Sequence, residues 1–300
     1  MKNIAILIPV YNRISYTKEC IRTLEELVIN ASPGKNRYHI IVIDDGSTDG
    51  TGNWLASNHP DITVLEGDGN LWWSGGINTG ATFAISDIKV DYLLLWNNDI
   101  HPAPDYFIEL DRLISTIPEK TIAGSKIYNL QKKNVINAFG GIFNPKTGVN
   151  YLVGGNLPDS IEFNQPIEVD WLSGMGSLIP ASAIDEVGLW DEITFPQYYG
   201  DSDFTLRAKM KGYKIVAYPQ LKIWRDKSSS GISHGDTLKG LYLALTDIRS
   251  HSNLSKTFRF YKRHATSILA YRAFIMFYVR LIGGFFKWKF LSLFGKTRTK

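Results

Sequence analysis

Apolar residues in this chain follow two rhythms. "NIAILIPVY" (3–11) and "YHIIVIDDG" (38–46) are unbroken runs rich in Ile and Val that close in Pro or Gly with polar residues. That is the pattern of strands covered on both faces. Between them, "SYTKECIRTLEELVI" spaces Tyr16, Cys20, Leu24 and Leu27 three and four residues apart, which predicts a helix lying on the sheet. "ITVLEG" (62–67), a helix from about Gly76 to Ile85 and "YLLLW" (92–96) continue the alternation, as in an α/β sheet with mostly parallel strands and its ligand at their C-terminal ends. Residues 120 to 170 change character, and "GGIFNPKTGVNYLVGGN" predicts hairpins or an inserted loop. "SGMGSLIPASAIDEVGLWDE" then gives a strand, a helix near Ala181 and a turn, and "SDFTLRAKMKGYKIVAYP" gives a helix stopped by Gly212 and another strand.

With 300 residues and 44% apolar content the chain can bury a sizeable core. Its single cysteine, Cys20, allows no internal disulfide, and the body is expected in the cytoplasm. Pro9 breaks the first apolar run and no small-residue cleavage site follows, so that run reads as a strand and not a signal peptide. The net charge of +4 conceals a division: from Asn253 onward there are 11 Lys or Arg and no acid, which leaves 22 basic against 29 acidic residues before it. An acidic body excludes a general nucleic-acid binder.

Candidate chemistry gathers where the apolar runs stop. Tyr11, Asn12 and Arg13 follow the first, Asp44, Asp45, Gly46 and Ser47 the second, and Asn97, Asn98 and Asp99 end "YLLLW". In a parallel sheet these ends share an edge, and carboxylates brought together there repel unless a cation intervenes. Asp99 with amide and water oxygens suits Mg or Mn, which take one or two carboxylates plus substrate phosphates. The alternative is that each cluster is a turn or helix cap.

Taken in order, "IPVYNR", "VIDDGSTDGT", "GGINTGATFA", "LLLWNND" and "YYGDSDFTLRAKMKGY" resemble the inverting family-two glycosyltransferases, most closely their bacterial rhamnosyltransferase-like members, across about Asn3 to Ser230. The resemblance implies the nucleotide-sugar-binding α/β fold called GT-A. It implies that Pro9, Tyr11 and Arg13 line the nucleotide pocket, that Asp45 accepts a hydrogen bond from the pyrimidine base, and that Gly76, Asn78 and Gly80 let backbone approach the donor. Asn98 would lie against the nucleotide sugar and Asp99 would hold the metal. The family's metal motif is usually Asp-x-Asp, whereas Asn97 stands first here, which should weaken the ion's hold. By the same match Asp201 is the catalytic base and Asp203 a cap or supporting partner. Where many relatives carry a metal-proximal His, "IWRDKSSSG" offers Arg225 or Asp226; His234 reads as an exposed loop residue. Trp72 and Trp73 are candidates for a sugar-stacking wall or for packing.

The expected organisation is a GT-A domain over 1–235 and a basic, apolar helical tail over 236–300. In the tail, "TSILAYRAFIMFYVRLIGGFFKWKFLSLFGK" has no uncharged run longer than seven residues, short of the roughly 20 that span a bilayer. An in-plane amphipathic segment on the inner face of the cell membrane is expected, against a helix pair packed on the body or on a second subunit. The expected activity is transfer of a sugar from a UDP- or dTDP-linked donor to a glycan or lipid-linked acceptor in surface polysaccharide synthesis. The alternatives are a non-catalytic nucleotide-sugar or carbohydrate-binding module and a sugar-phosphate nucleotidyltransferase, whose Gly-rich phosphate loop "IPVYNR" lacks.

Overall fold

In a computed structural model, residues 1–30, 35–226 and 237–292 are described. The first strand shows why its sequence is apolar at every position after Asn3. In β1 (Asn3–Val10), Ile4, Ile6, Ile8 and Val10 face one layer with Cys20, Ile21 and Leu24 of α1 (Ile14–Asn30). Ala5 and Leu7 face the opposite layer with Ile77 and Ala81 of α3 (Trp72–Phe83). A strand sandwiched between helices needs apolar residues on both faces of its pleat. β1 pairs in parallel with β2 (Arg37–Asp44) and with β4 (Tyr92–Leu95), and β2 with β3 (Thr63–Glu66). α2 (Thr51–Asn58) links β2 to β3.

The other half of the sheet is mixed. β5 (Ile100–Pro102) and α4 (Tyr106–Ile114) lead to β6 (Thr121–Asn129), and β7 (Ile136–Ala138) turns back on β6. β8 (Gly141–Phe143) and β9 (Asn150–Leu152) form a separate two-stranded sheet. β10 (Ile167–Glu168) and β11 (Ser177–Pro180) follow, then α5 (Ser182–Val187), α6 (Gly200–Met210) and β12 (Lys214–Arg225). The sheet order is β10-β12-β6-β11-β4-β1-β2-β3, with β11 antiparallel to β4 and β12 parallel to β6.

Where the sequence predicts hairpins or an inserted loop over 120 to 170, β8 and β9 pair, and β6 is a long strand whose first eight residues are buried. Two residues disguise it. Gly124 leaves room for Leu172, whose Cδ2 would lie 2.2 Å from an added Cβ. Lys126 is wholly buried, donating to Asp159 and to the Phe163 carbonyl at 3.0 Å among the rings of Tyr128, Phe139 and Phe163. α3 also begins four residues before the predicted Gly76, and a π-helical turn, Ala84–Ile88, follows it.

The chain divides into two compact units, Met1–Ile142 with Tyr151–Ser229, and Phe143–Asn150 with Ser230–Lys300. The second unit holds α7 (Leu238–Thr246), α8 (Leu254–His264) and α9 (Ala270–Ser292). Within it, Gly148 takes φ 71° and an added Cβ would come 2.3 Å from the Ala270 carbonyl oxygen. The Tyr261 hydroxyl donates to the Gly148 carbonyl at 2.7 Å. No helix of the described residues is long and apolar enough to cross a membrane.

Candidate active site

The loop after β1 is locked to the loop after β2. The Asn12 amide donates to Ser47 Oγ at 2.7 Å, Asn12 Oδ1 accepts from the Thr48 amide at 2.9 Å, and the Ile14 amide donates to Asp49 at 2.7 Å. Asn12 and Arg13 take φ 55° and 61°. Non-glycine residues in this region cost free energy and persist only where their surroundings fix them. Tyr11 stands out from the strand end, 58% exposed. Arg13 lies over the Tyr16 ring, 4.9 Å from its centroid.

The two acids of the second cluster do different work. Asp44 accepts from the Ser47 amide at 2.9 Å, closing a turn. Asp45 is buried and reaches across to the start of α3: Oδ1 accepts from the amides of Gly69 at 2.8 Å and Leu71 at 3.2 Å, and Oδ2 from Trp72 at 3.0 Å. Three of about four acceptor positions on a carboxylate are thereby filled. Trp72 itself takes φ 56°.

Trp73 continues the connection. Its Nε1 donates to Asn97 Oδ1 at 3.2 Å, and its ring lies so close to Gly174 that an added Cβ would fall 2.0 Å from Cζ2. The Gly174 amide donates to Asp201 Oδ2 at 3.0 Å, while the Ser202 amide holds Asp201 Oδ1 at 2.8 Å. The next residue fastens the segment before α6 to α3, because the Ser74 amide and hydroxyl donate to the carbonyls of Pro196 and Phe195 at 2.8 and 2.6 Å. Gly200 is required there, since a Cβ would sit 2.3 Å from Ser74 Oγ. Trp72 thus contacts Asp45 and Trp73 contacts Asn97 directly, while Asp201 is reached from the Trp73 ring only through Gly174. No motif in the sequence points to this linking role, because adjacent aromatics alone do not signal it.

Burial raises the Asp201 carboxyl above its ordinary value, an effect that the Gly174 and Ser202 amides and the charge of Arg225 offset in part. Asp203 is fully buried and paired with Arg207 at 2.9 Å, and that guanidinium also donates to the carbonyls of Val187 and Leu189. Tyr199, at the head of α6, makes no side-chain cap, and Asp203 is an ion-pair partner of Arg207. Asp99 is buried, and Asn98 donates to Thr17 Oγ1 on α1 at 3.0 Å. Tyr198, the first residue of the "YYGDSDF" stretch, feels the charge of these groups. Burial raises its phenol, and Arg225, Asp201 and Asp99 all act on it electrostatically.

Arg225 ends β12 opposite Ile100 of β5 and Asn129 of β6. Asp226 accepts instead from Gln131 at 2.6 Å and from the Tyr16 hydroxyl at 3.4 Å. His234 lies outside the described residues. Gly76 closes on Pro9, with an added Cβ 3.0 Å from the proline ring, and Gly80 on Ile43. Asn78 donates to the Trp190 carbonyl and to Glu192 and accepts from the Trp190 amide at 3.0 Å. These three residues fix the position of α3. A cleft of about 520 Å³ borders Asn78, Thr82, Asp87 and Glu192 and not Asp99 or Asp201.

Among the described residues, no three His, Cys, Asp or Glu side chains gather to hold a metal by themselves. Asp99 provides one buried carboxylate, and Asn97 Oδ1 already accepts from Trp73. This donor set fits an ion completed by substrate phosphates and water, and not a cage made by protein alone.

The profile described as glycosyl transferase family 2 matches residues 5–172, 168 of the 300. The chain belongs to this family. Asp201 and Arg225 lie beyond the matched span. Among family-related proteins, the galactofuranosyltransferase GlfT2 of Mycobacterium tuberculosis is 22% identical over 246 residues, 74% of this chain and 37% of that protein. The poly(ribitol-phosphate) β-glucosyltransferase of Bacillus spizizenii is 29% identical over 225 residues, 71% of this chain and 30% of its own. The chain therefore spans about a third of the length of these relatives. A crystal structure of GalNAc-T7 with UDP, GalNAc and Mn2+ superimposes with a TM-score of 0.58 at 13% identity, covering 93% of this chain and 57% of that one. That likeness shows a GT-A-like mixed α/β fold.

Proposed function

We propose that this protein is an inverting, metal-assisted glycosyltransferase of the rhamnosyltransferase-like kind. It moves a sugar from a UDP- or dTDP-linked donor to a glycan or lipid-linked acceptor in surface polysaccharide synthesis. The observation that supports this reading is the run of contacts from Asp45 to Trp72, from Trp73 to Asn97, and from the Trp73 ring through Gly174 to Asp201. In this reading Pro9 and Tyr11 border the base, and the acceptor position left on Asp45 takes a base N–H. Arg13 and Arg225 face the diphosphate, with Arg225 rather than Asp226 in the place of the usual metal-proximal His. A divalent ion, Mg or Mn, held by Asp99 and the donor's phosphates would neutralise charge on the leaving diphosphate.

Asp201 removes the proton from the acceptor hydroxyl as that oxygen attacks C1 of the donor sugar from the face opposite the diphosphate, which inverts the anomeric centre. The amides of Gly174 and Ser202 fix both carboxylate oxygens, and burial raises its proton affinity toward the range useful to a general base. In this reading residues 1–235 carry the chemistry, and the tail, 236–300, holds the enzyme to the cytoplasmic face of the cell membrane.

The test is a thermal-unfolding panel of nucleotide sugars with and without manganese. A donor at a hundredfold its Kd stabilises the native state by about 2.7 kcal/mol. A UDP- or dTDP-sugar should raise the Tm, and more so with manganese. A response confined to purine nucleotides, or to none, would refute the proposal.

A further inference from the structure

In the second unit α9 carries apolar residues on two sides. One side packs inward: Phe274 meets Phe258 and Tyr261 of α8 with centroids 5.9 and 5.5 Å apart, and the Tyr278 hydroxyl donates to the Ser252 carbonyl at 3.0 Å. The other side is formed by Ile275, Val279, Ile282 and Phe286. Spacing of four, three and four places them along one stripe of the helix. Ile275, Val279 and Phe286 are 55, 54 and 53% exposed. A helix on a water-soluble surface normally turns charge outward at these positions. Here the charges border the stripe instead: Arg272 falls on one edge and Lys289 on the other, with Lys287 and Arg280 beyond Arg272, all exposed.

Charge decides what covers this face. No acidic residue follows Asp247. A second copy using the same face would set these cations against one another with no carboxylate between them, which is unfavourable. Anionic headgroups supply the missing negative charge, long basic side chains reach outward to them, and the acyl boundary takes up the stripe. We infer that the Ile275–Val279–Ile282–Phe286 face of α9, with Arg272, Lys287 and Lys289, is a docking surface for an anionic lipid bilayer, the helix lying in the plane of the interface. This rests on the membrane reading of the tail and on nothing about the donor.

The test is co-sedimentation of the full chain with phosphatidylcholine vesicles, with and without phosphatidylglycerol, for the wild type and for Val279→Glu/Phe286→Glu. Circular dichroism and the thermal unfolding midpoint report folding. The wild type should pellet only with anionic vesicles and release with salt, and the folded double variant should bind at least about tenfold more weakly. Equal binding by the variant would overturn the assignment to this face while leaving the tail at the membrane. A wild type that ignores both vesicles would overturn the membrane reading as well. A wild-type dimer that the variant converts to monomer, without lipid binding, would give the face to a second copy.

Discussion

Replacing Asp201 by Asn changes one atom in the place where the proposed mechanism is most exposed to refutation. Both carboxylate oxygens accept backbone N–H groups, from Gly174 at 3.0 Å and Ser202 at 2.8 Å. An amide satisfies only one of them and turns its NH2 toward the other, at a cost of about 1–3 kcal/mol. Against this, the substitution removes a charge that burial disfavours. Because the folded-state pKa of Asp201 is raised above its ordinary value of 3.8, its contribution to stability is full below that value and declines as pH rises through the folded-state pKa. The neutral amide recovers that loss at neutral pH and nothing in acid. The two effects oppose each other, so the variant should unfold within about 2 kcal/mol of the wild type at pH 7, and the comparison should turn against it below about pH 4. Transfer should fall by roughly 10²–10⁴-fold, the usual worth of a general base, with donor binding intact. In the wild type, the acid limb of kcat/KM should lie above the ordinary carboxylate value. Initial rates of transfer, calorimetric titration with the donor and thermal scans across pH measure these quantities. Full transfer by a folded Asp201→Asn protein would refute the role of the base.

Arg225→Ala should weaken UDP binding by about 1.5–3 kcal/mol, the worth of a hydrogen bond to a charged group, and Arg225→Lys by less. Titration with UDP in EDTA isolates this from the ion, and unchanged affinity would remove Arg225 from the diphosphate site. Lys126→Met should destabilise the fold by about 3 kcal/mol, because it strands Asp159 beside a dry aromatic cage. The double variant with Asp159→Asn should recover most of that in urea unfolding. Burial pushes the Asp159 carboxyl up, but Lys126 and Tyr128 outweigh it and hold it below the usual range. The stability it contributes is therefore present above the ordinary carboxylate pKa and lost as pH falls. Lys126→Met should lose that acid sensitivity.

The sequence alone determined the parallel half of the sheet, because a strand covered on both sides must be apolar through its covered stretch, as residues 4–10, 40–43 and 92–95 are. It determined also that polar motifs end those strands, since the peptide groups there leave the ladder and meet water or ligand. It did not reveal β6. A glycine that makes way for Leu172 and a lysine neutralised by an aspartate thirty-three residues onward are both invisible to a pattern of polarity. It also could not assign the work of individual polar groups. Asp44 and Asp45 are adjacent in the chain, yet one closes a local turn while the other spans to α3. Asp201 and Asp203 lie two apart on one helix, but only Asp203 comes within reach of Arg207. Side-chain direction follows from a backbone set by contacts distant in sequence. The hydrogen bond from Trp73 to Asn97 and the closeness of its ring to Gly174 exist only once α3, β4 and the segment before β11 have packed together.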